Sequence, residues 1–261
     1  MTSIAITGAR GRIGRKVLPR LSEYDITAID IDPLEDSRFR DCERVQLDIT
    51  TDTERLQEAF SGCQAVIHLA ARSSSGEEWN RLLGPNIDGT YNIFEAAHAA
   101  GVSRVIFASS NHAIHMPNTT APDRTNSMVQ TPTVVDDPMA PTGPYGVSKL
   151  AGEAIGAFTA ARFGIEVVNL RIGSFLTDEQ LAEYQDEDAD VARYHRAMFL
   201  SIPDGTHGLR RAVEADLPEN PLTVNLTSRN AERTLPITES MRSLGYRPQD
   251  DSAEILTEIS E

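Results

Sequence analysis

A tyrosine and a lysine four residues apart, in Tyr145-Gly-Val-Ser-Lys149, put a phenol and an ammonium on one face of a helix. A tyrosine phenol has a reference pKa of about 10, and a neighbouring cation favours the phenolate, bringing it toward the range of a general base. The same spacing also describes an ordinary surface pair, so by itself it leaves both readings open. Two further features weigh on the choice. A glycine run, Gly8-Ala-Arg-Gly11-Arg-Ile-Gly14, lies upstream, and only two of the 24 basic residues are lysines, Lys16 and Lys149, the other 22 being arginines.

Glycines at that spacing, after a strand and at the start of a helix, allow a tight turn, a close pass of backbone against a pyrophosphate, and a helix packed hard on its strand. A bare glycine triplet describes a structural turn equally well. Its context adds Asp30, about 20 residues on at the end of the next strand, where a carboxylate hydrogen-bonds an adenosine ribose and repels a 2′-phosphate. That favours NAD over NADP, although Arg10 and Arg12 in the loop are cations suited to a 2′-phosphate. Asp48, closing the third strand, is placed either to meet adenine or to cap the helix that follows.

These residues must be carried by alternating elements. Six short β-branched runs read as strands, near Ile4–Thr7, Ile26–Asp30, Arg44–Leu47, Ala65–Leu69, Arg104–Ala108 and Glu166–Leu170. Between them Arg12–Leu21, Thr53–Phe60, Asn86–Ala100 and Tyr145–Phe163 read as helices, two of them closed by Gly101 and Gly164, and Pro144 suits a first helical turn. The pattern predicts an α/β fold, a Rossmann-type doubly wound parallel sheet. His115 to Gly143 reads as a long loop. Beyond Arg171 come an acidic run, Asp178 to Asp190, taken as a solvated face, then helices at Val191–Ser201 and Gly208–Leu217, a strand at Leu222–Leu226 and a helix at Ile237–Leu244. The expectation is one domain over 1–261, with a dinucleotide-binding core at 1–171 and a small C-terminal substrate cap at 172–261.

The 261 residues carry 24 basic against 39 acidic side chains, a net charge of −15, which disfavours nucleic acid and anionic membrane as partners. Hyperthermophiles add lysine together with glutamate. Acid without lysine instead predicts a halophile's surface, hydrated in concentrated salt. Cys42 and Cys63 lack both CxxC spacing and disulfide density and read as buried thiols of a reducing compartment. No charged leader with a long apolar stretch precedes the first strand, and no apolar run approaches the roughly 20 residues that span a bilayer, so a cytoplasmic protein is expected. His112 and His115 are three apart, but no third ligand stands at zinc spacing, and no metal is expected.

Taken together, the glycine motif, His68-Leu-Ala-Ala71, Asn86-Ile-Asp-Gly-Thr90, Ser109-Ser110, Tyr145 with Lys149, and Leu244-Gly-Tyr-Arg-Pro248 resemble the extended short-chain dehydrogenase/reductase family over nearly the whole chain. The resemblance implies NAD bound along Gly8, Arg10, Gly11, Arg12, Ile13 and Gly14. Asp30, Asp48, Ile49, Leu69, Ala70, Ala71, Asn86, Ala108, Tyr145, Lys149 and Ile172 complete that implied site. It further implies Tyr145 as base, Lys149 on the nicotinamide ribose and Ser110 holding the reacting oxygen. The run Phe107-Ala-Ser-Ser-Asn-His112 departs from the epimerase pattern and resembles uronate dehydrogenases. With Asn111-His-Ala-Ile-His-Met116, Arg193-Tyr-His-Arg-Ala-Met-Phe-Leu-Ser201 and the acidic composition, it looks more like the haloarchaeal NAD-dependent glucose-6-phosphate dehydrogenases.

Both groups oxidise C1 of a pyranose to a lactone, and the implied reaction is glucose 6-phosphate to 6-phosphogluconolactone. Uronate oxidation is the near alternative; an NAD-dependent epimerase and a non-catalytic NAD sensor are further ones. The implied sugar contacts are Ser73, Ser110, Asn111, His112, Tyr145 and Ser174, with Arg193 or Arg196 on a C6 phosphate. The implied assembly is a homodimer or higher homo-oligomer built on the helices that carry Tyr91 and Leu150.

Overall fold

The computed structural model describes residues 1–73, 78–114, 141 and 143–260, so His115 and nearly all of the expected long loop lie outside the described residues. Nine strands are described. They are β1 (Thr2–Thr7), β2 (Tyr24–Asp30), β3 (Glu43–Gln46), β4 (Ala65–His68), β5 (Arg104–Ser110), β6 (Glu166–Ile172), β7 (Ser174–Phe175), β8 (Phe199–Leu200) and β9 (Leu222–Leu226). Seven form one sheet in the order β3-β2-β1-β4-β5-β6-β9, with the pairs β1–β2, β2–β3, β1–β4 and β4–β5 parallel. The direction of winding reverses at β1, which has β2 on one side and β4 on the other. Such a switch point leaves a crevice beyond the strand ends.

The chain forms two compact units, one of Met1–Ser109, Gly143–Asn169 and Leu217–Leu222, the other of Ser110–Thr142, Leu170–Asp216 and Thr223–Glu261. The first unit carries helices α1 (Gly14–Val17), α2 (Thr53–Ala59), α3 (Trp79–Leu82), α4 (Gly89–Ala99) and α5 (Pro144–Phe163). All seven residues of β5 are buried, as a strand covered by helices on both faces requires. Its core joins Phe60, Val66, Phe94, Phe107 and Val167. Gly164, at φ 74°, closes α5 in the left-handed conformation that its place in the sequence predicts, and Pro144 opens the helix.

The second unit carries α6 (Asp178–Glu183), α7 (Ala189–Met198), α8 (Ile202–Glu214) and α9 (Ser252–Ser260). Its buried carboxylate Asp204 accepts hydrogen bonds from Ser228 Oγ at 2.7 Å, Gln249 N–H at 2.8 Å and Asp250 N–H at 3.1 Å. Tyr246 donates to Thr227 O at 3.0 Å. The Leu244–Pro248 signature is thus an anchor for the end of the chain.

Several elements differ from expectation. The glycine loop opens only one α turn, and a 3-10 turn at Leu18–Arg20 follows, because Pro19 cannot donate to the ladder. The acidic run contains α6, started by a capping box between Thr177 and Gln180, so it is not merely a solvated face. The helix expected to reach Ser201 stops at Met198, where Phe199 and Leu200 turn extended to pair with Ser174 and Phe175. Ile237–Leu244 ends in a wide turn at Ser240–Leu244, and α9 follows where no helix was expected. Cys63 is buried, but Cys42 is half-buried because it lies in the exposed stretch before β3.

Candidate active site

In the first unit the switch point is open. A cavity of about 520 Å³ is lined by Gly8, Arg10, Gly11, Asp30, Asp48, Ile49, Leu69, Ala70 and Ala71 of the expected cofactor residues. Ile31, Asp32, Thr50 and Pro85, which sequence reasoning missed, also line it. Gly8 has φ +69°, and a Cβ there would stand 2.6 Å from Ala70 N, so only glycine lets the loop pass the end of β4. At Gly14 a Cβ would meet Gly8 O at 2.5 Å. Arg12, Ile13, Gly14, Asn86, Ala108, Tyr145, Lys149 and Ile172 do not line this cavity.

The two nominated aspartates are held by the backbone. Asp30 accepts from Arg10 N–H at 2.8 Å and Asp32 N–H at 3.2 Å, while the Arg10 guanidinium pairs with Asp32 at 3.1 Å. Asp48 accepts from Thr50 N–H and Oγ–H at 2.9 and 2.7 Å, a local turn that leaves its carboxylate on the cavity wall. A cradle that a Cβ would fill, beside carboxylates with lone pairs to spare, fits the adenosine and pyrophosphate of NAD.

Asn86 is spent on the protein. Its amide accepts from Arg72 N–H at 2.8 Å and donates to Arg72 O and to Ser148 Oγ, both at 3.0 Å. Ser148 in turn donates to Tyr145 O at 2.7 Å, so Asn86 holds the helical turn that carries the tyrosine. A second chain runs beneath. Thr90 gives its proton to Asn86 O at 2.7 Å and therefore accepts from His68 Nε2–H at 3.1 Å. His68 Nδ1 then accepts from Thr7 Oγ–H at 2.8 Å. Burial, with the Lys149 charge as a lesser cause, lowers the His68 pKa to about 3, which keeps this imidazole neutral and structural.

Three consecutive contacts lock α5 onto β5. Lys149 Nζ donates to Ala108 O at 2.8 Å, a Cβ on Gly152 would stand 2.2 Å from Phe107 Cζ, and Ser109 Oγ donates to Glu153 at 2.5 Å. Lys149 is buried, and its ammonium lies 5.0 Å from the Phe107 ring centroid and 5.7 Å from that of Tyr145. Burial lowers its pKa to about 8, so it still carries its charge at neutral pH.

In the second unit Ser110, Asn111 and His112 stand together. Ser110 Oγ donates to Asn111 Oδ1 at 3.1 Å and accepts from His112 N–H at 3.2 Å. Asn111 Nδ2 donates to Tyr194 OH at 2.8 Å. Burial lowers the His112 pKa and favours its neutral form. Ser174 Oγ lies 3.2 Å from His195 Nδ1, and the His195 ring stacks on Tyr184 at 3.6 Å. Arg196 bonds Gln185 at 2.7 Å and Glu232 at 3.2 Å, and the Nε of Arg193 is buried. Ser73 is exposed. Tyr194, His195 and Ser148 were also missed by sequence reasoning.

Residues 4–198 match the model of the NAD dependent epimerase/dehydratase family. The chain belongs to that family. Among its relatives is the L-arabinose 1-dehydrogenase (NAD(P)(+)) of Haloferax volcanii, 45% identical over 259 residues, covering 98% of this chain and all of the relative. The NAD-dependent glucose-6-phosphate dehydrogenase of the same organism is 35% identical, covering 98% and 96%. A solved uronate dehydrogenase from Agrobacterium tumefaciens, a mutant complexed with NAD, superposes with TM-score 0.78 at 26% identity, covering all of this chain and 89% of that one. The family's fold is thus the expected parallel sheet, and its cofactor is NAD.

Proposed function

We propose that this protein oxidises an uncharged aldopyranose, a pentose of the L-arabinose kind, at C1 to its lactone. It is an NAD-dependent sugar dehydrogenase, and its relatives act at C1. The observation that carries the substrate reading is the set of groups beside Ser110. Asn111, His112 and Tyr194 are all neutral hydrogen-bonding groups, while Arg196 is already engaged by Glu232. Neutral donors and acceptors suit ring hydroxyls, whereas a phosphate calls for a guanidinium to spare.

NAD supplies the hydride acceptor. In this reading Tyr145, as phenolate, takes the proton of the C1 hydroxyl, and the Lys149 charge lowers the cost of that phenolate. The Ser110 hydroxyl holds the reacting oxygen, and Asn111 and His112 fix the ring. Gly8, Gly11, Asp30 and Asp48 hold the adenosine and pyrophosphate. A dimer through the face bearing the exposed Tyr91, Val147 and Phe158 belongs to the same reading, as does a cytoplasmic halophile's salt requirement. Among the described residues, no helix is long and apolar enough to cross a membrane.

Glucose 6-phosphate is the second reading, favoured by two arginines on one short helix, Arg193 and Arg196, and by the relative at 35% identity. NADH formation with L-arabinose, glucose 6-phosphate, glucose and glucuronate, run in parallel in molar salt, decides between them. L-arabinose should give the highest kcat/KM. Faster oxidation of glucose 6-phosphate would transfer the function to the second reading.

A further inference from the structure

Ser110 has one hydroxyl proton, and the structure fixes where it points. The proton lies toward Asn111 Oδ1 at 3.1 Å, and the His112 N–H at 3.2 Å takes one lone pair. What holds the Asn111 amide in that sense is its other end, because Nδ2 donates to Tyr194 OH at 2.8 Å. Asn111 is 3% and Tyr194 8% exposed, so little water is available to replace either bond. The phenol itself is fixed by packing. Its ring belongs to a cluster with Ile114, Met198 and Leu235, and it meets the His195 ring edge-on at 5.1 Å.

We infer that Tyr194 is a positioning residue for the dehydrogenase reaction, acting through the Asn111 amide to hold the Ser110 hydroxyl oxygen in place. The inference rests on Ser110 holding the reacting oxygen, as proposed above. A hydroxyl that must meet a developing carbonyl oxygen works only from a narrow range of positions, and a short, buried chain of hydrogen bonds holds Oγ in place before substrate arrives, its proton turning from Asn111 Oδ1 to the reacting oxygen once the sugar is bound. The chain spans 83 residues of sequence between Asn111 and Tyr194, so it also ties the residue that follows β5 to α7.

The test is a double-mutant cycle on kcat with Tyr194→Phe and Asn111→Ala. Ser110→Ala is the control, and the sugar is the best of L-arabinose, glucose 6-phosphate and glucuronate. Phenylalanine keeps the packed ring and deletes only the hydroxyl. Y194F should lower kcat about tenfold with KM for NAD unchanged, the size expected when one buried hydrogen bond is removed. N111A should lose at least as much, and Y194F added to N111A should cost less than about twofold more, since the two residues act on one path. Losses that multiply in the double variant would overturn the inference. So would full turnover of Y194F beside an inactive S110A. Full turnover of S110A would instead remove the serine assignment, a separate failure that the control reads directly.

Discussion

Replacing Lys149 by methionine separates the proposed role of this residue in the reaction from what it costs the fold. The ammonium is buried, donates to Ala108 O at 2.8 Å, and has its pKa lowered from 10.5 to about 8 by burial. A folded-state pKa below the unfolded one means that the unfolded chain binds the proton more tightly, so stability rises with pH between the two values. At about 1.4 kcal/mol per unit, keeping the proton on Lys149 costs the fold about 3 kcal/mol at pH 7 and under about 1 kcal/mol at pH 10. Methionine fills the same slot without a charge, though it leaves Ala108 O without its charged donor, a loss of about 1–3 kcal/mol. K149M should therefore be inactive yet at least as stable as the parent at pH 7, and the parent should gain about 2–3 kcal/mol relative to K149M between pH 7 and pH 10. Denaturant unfolding of both proteins in molar salt, at half-unit steps of pH, measures the gap. A gap that stays constant across that window would refute a charged, buried lysine at this position.

Other outcomes follow from the same geometry. Tyr145→Phe should lower kcat at least about a hundredfold while NAD titration by fluorescence is unchanged, because it deletes the proposed base and keeps the ring. Asp30→Ala should weaken NAD and raise the NADP/NAD ratio of kcat/KM, since the proposed ribose acceptor and a repulsive charge go together; an unchanged ratio would point to Arg10 or Arg12 as the selector. Gly152→Ala drives a methyl to 2.2 Å from Phe107 Cζ and should cost about 1–3 kcal/mol of stability by thermal melting, with activity falling as Lys149 shifts on the same helix. Circular dichroism through a salt titration should show structure lost below about 0.5 M, where screening of the −15 charge relaxes from a Debye length of about 3 Å near 1 M toward about 10 Å at 0.1 M.

The residues legible in the sequence are those whose chemistry is enforced over short spacings. The glycine loop, Asp30 and the Tyr145–Lys149 turn each call for a particular residue type within one turn or one βαβ step; the glycine loop and Asp30 line the cavity at β1, and Tyr145 and Lys149 lie on α5. The capping box of α6 was equally readable, since Thr177 and Gln180 stand three apart in an acidic run that composition alone presents as surface. Other contacts leave no local trace. Asn86 meets Ser148 across 62 residues, Ser109 meets Glu153 across 44, and Asn111 meets Tyr194 across 83, so each partner looks interchangeable until the sheet brings it into place. The same reason ends α7 early. Nothing in the helical period distinguishes Phe199 from Met198, and only pairing with Ser174 and Phe175 makes the chain extend. Arg196 shows how this bears on substrate. Its spacing from Arg193 advertises a cation on a cap helix, but the carboxylate that engages it, Glu232, stands 36 residues further on, so the ion pair comes into view only when the chain is folded.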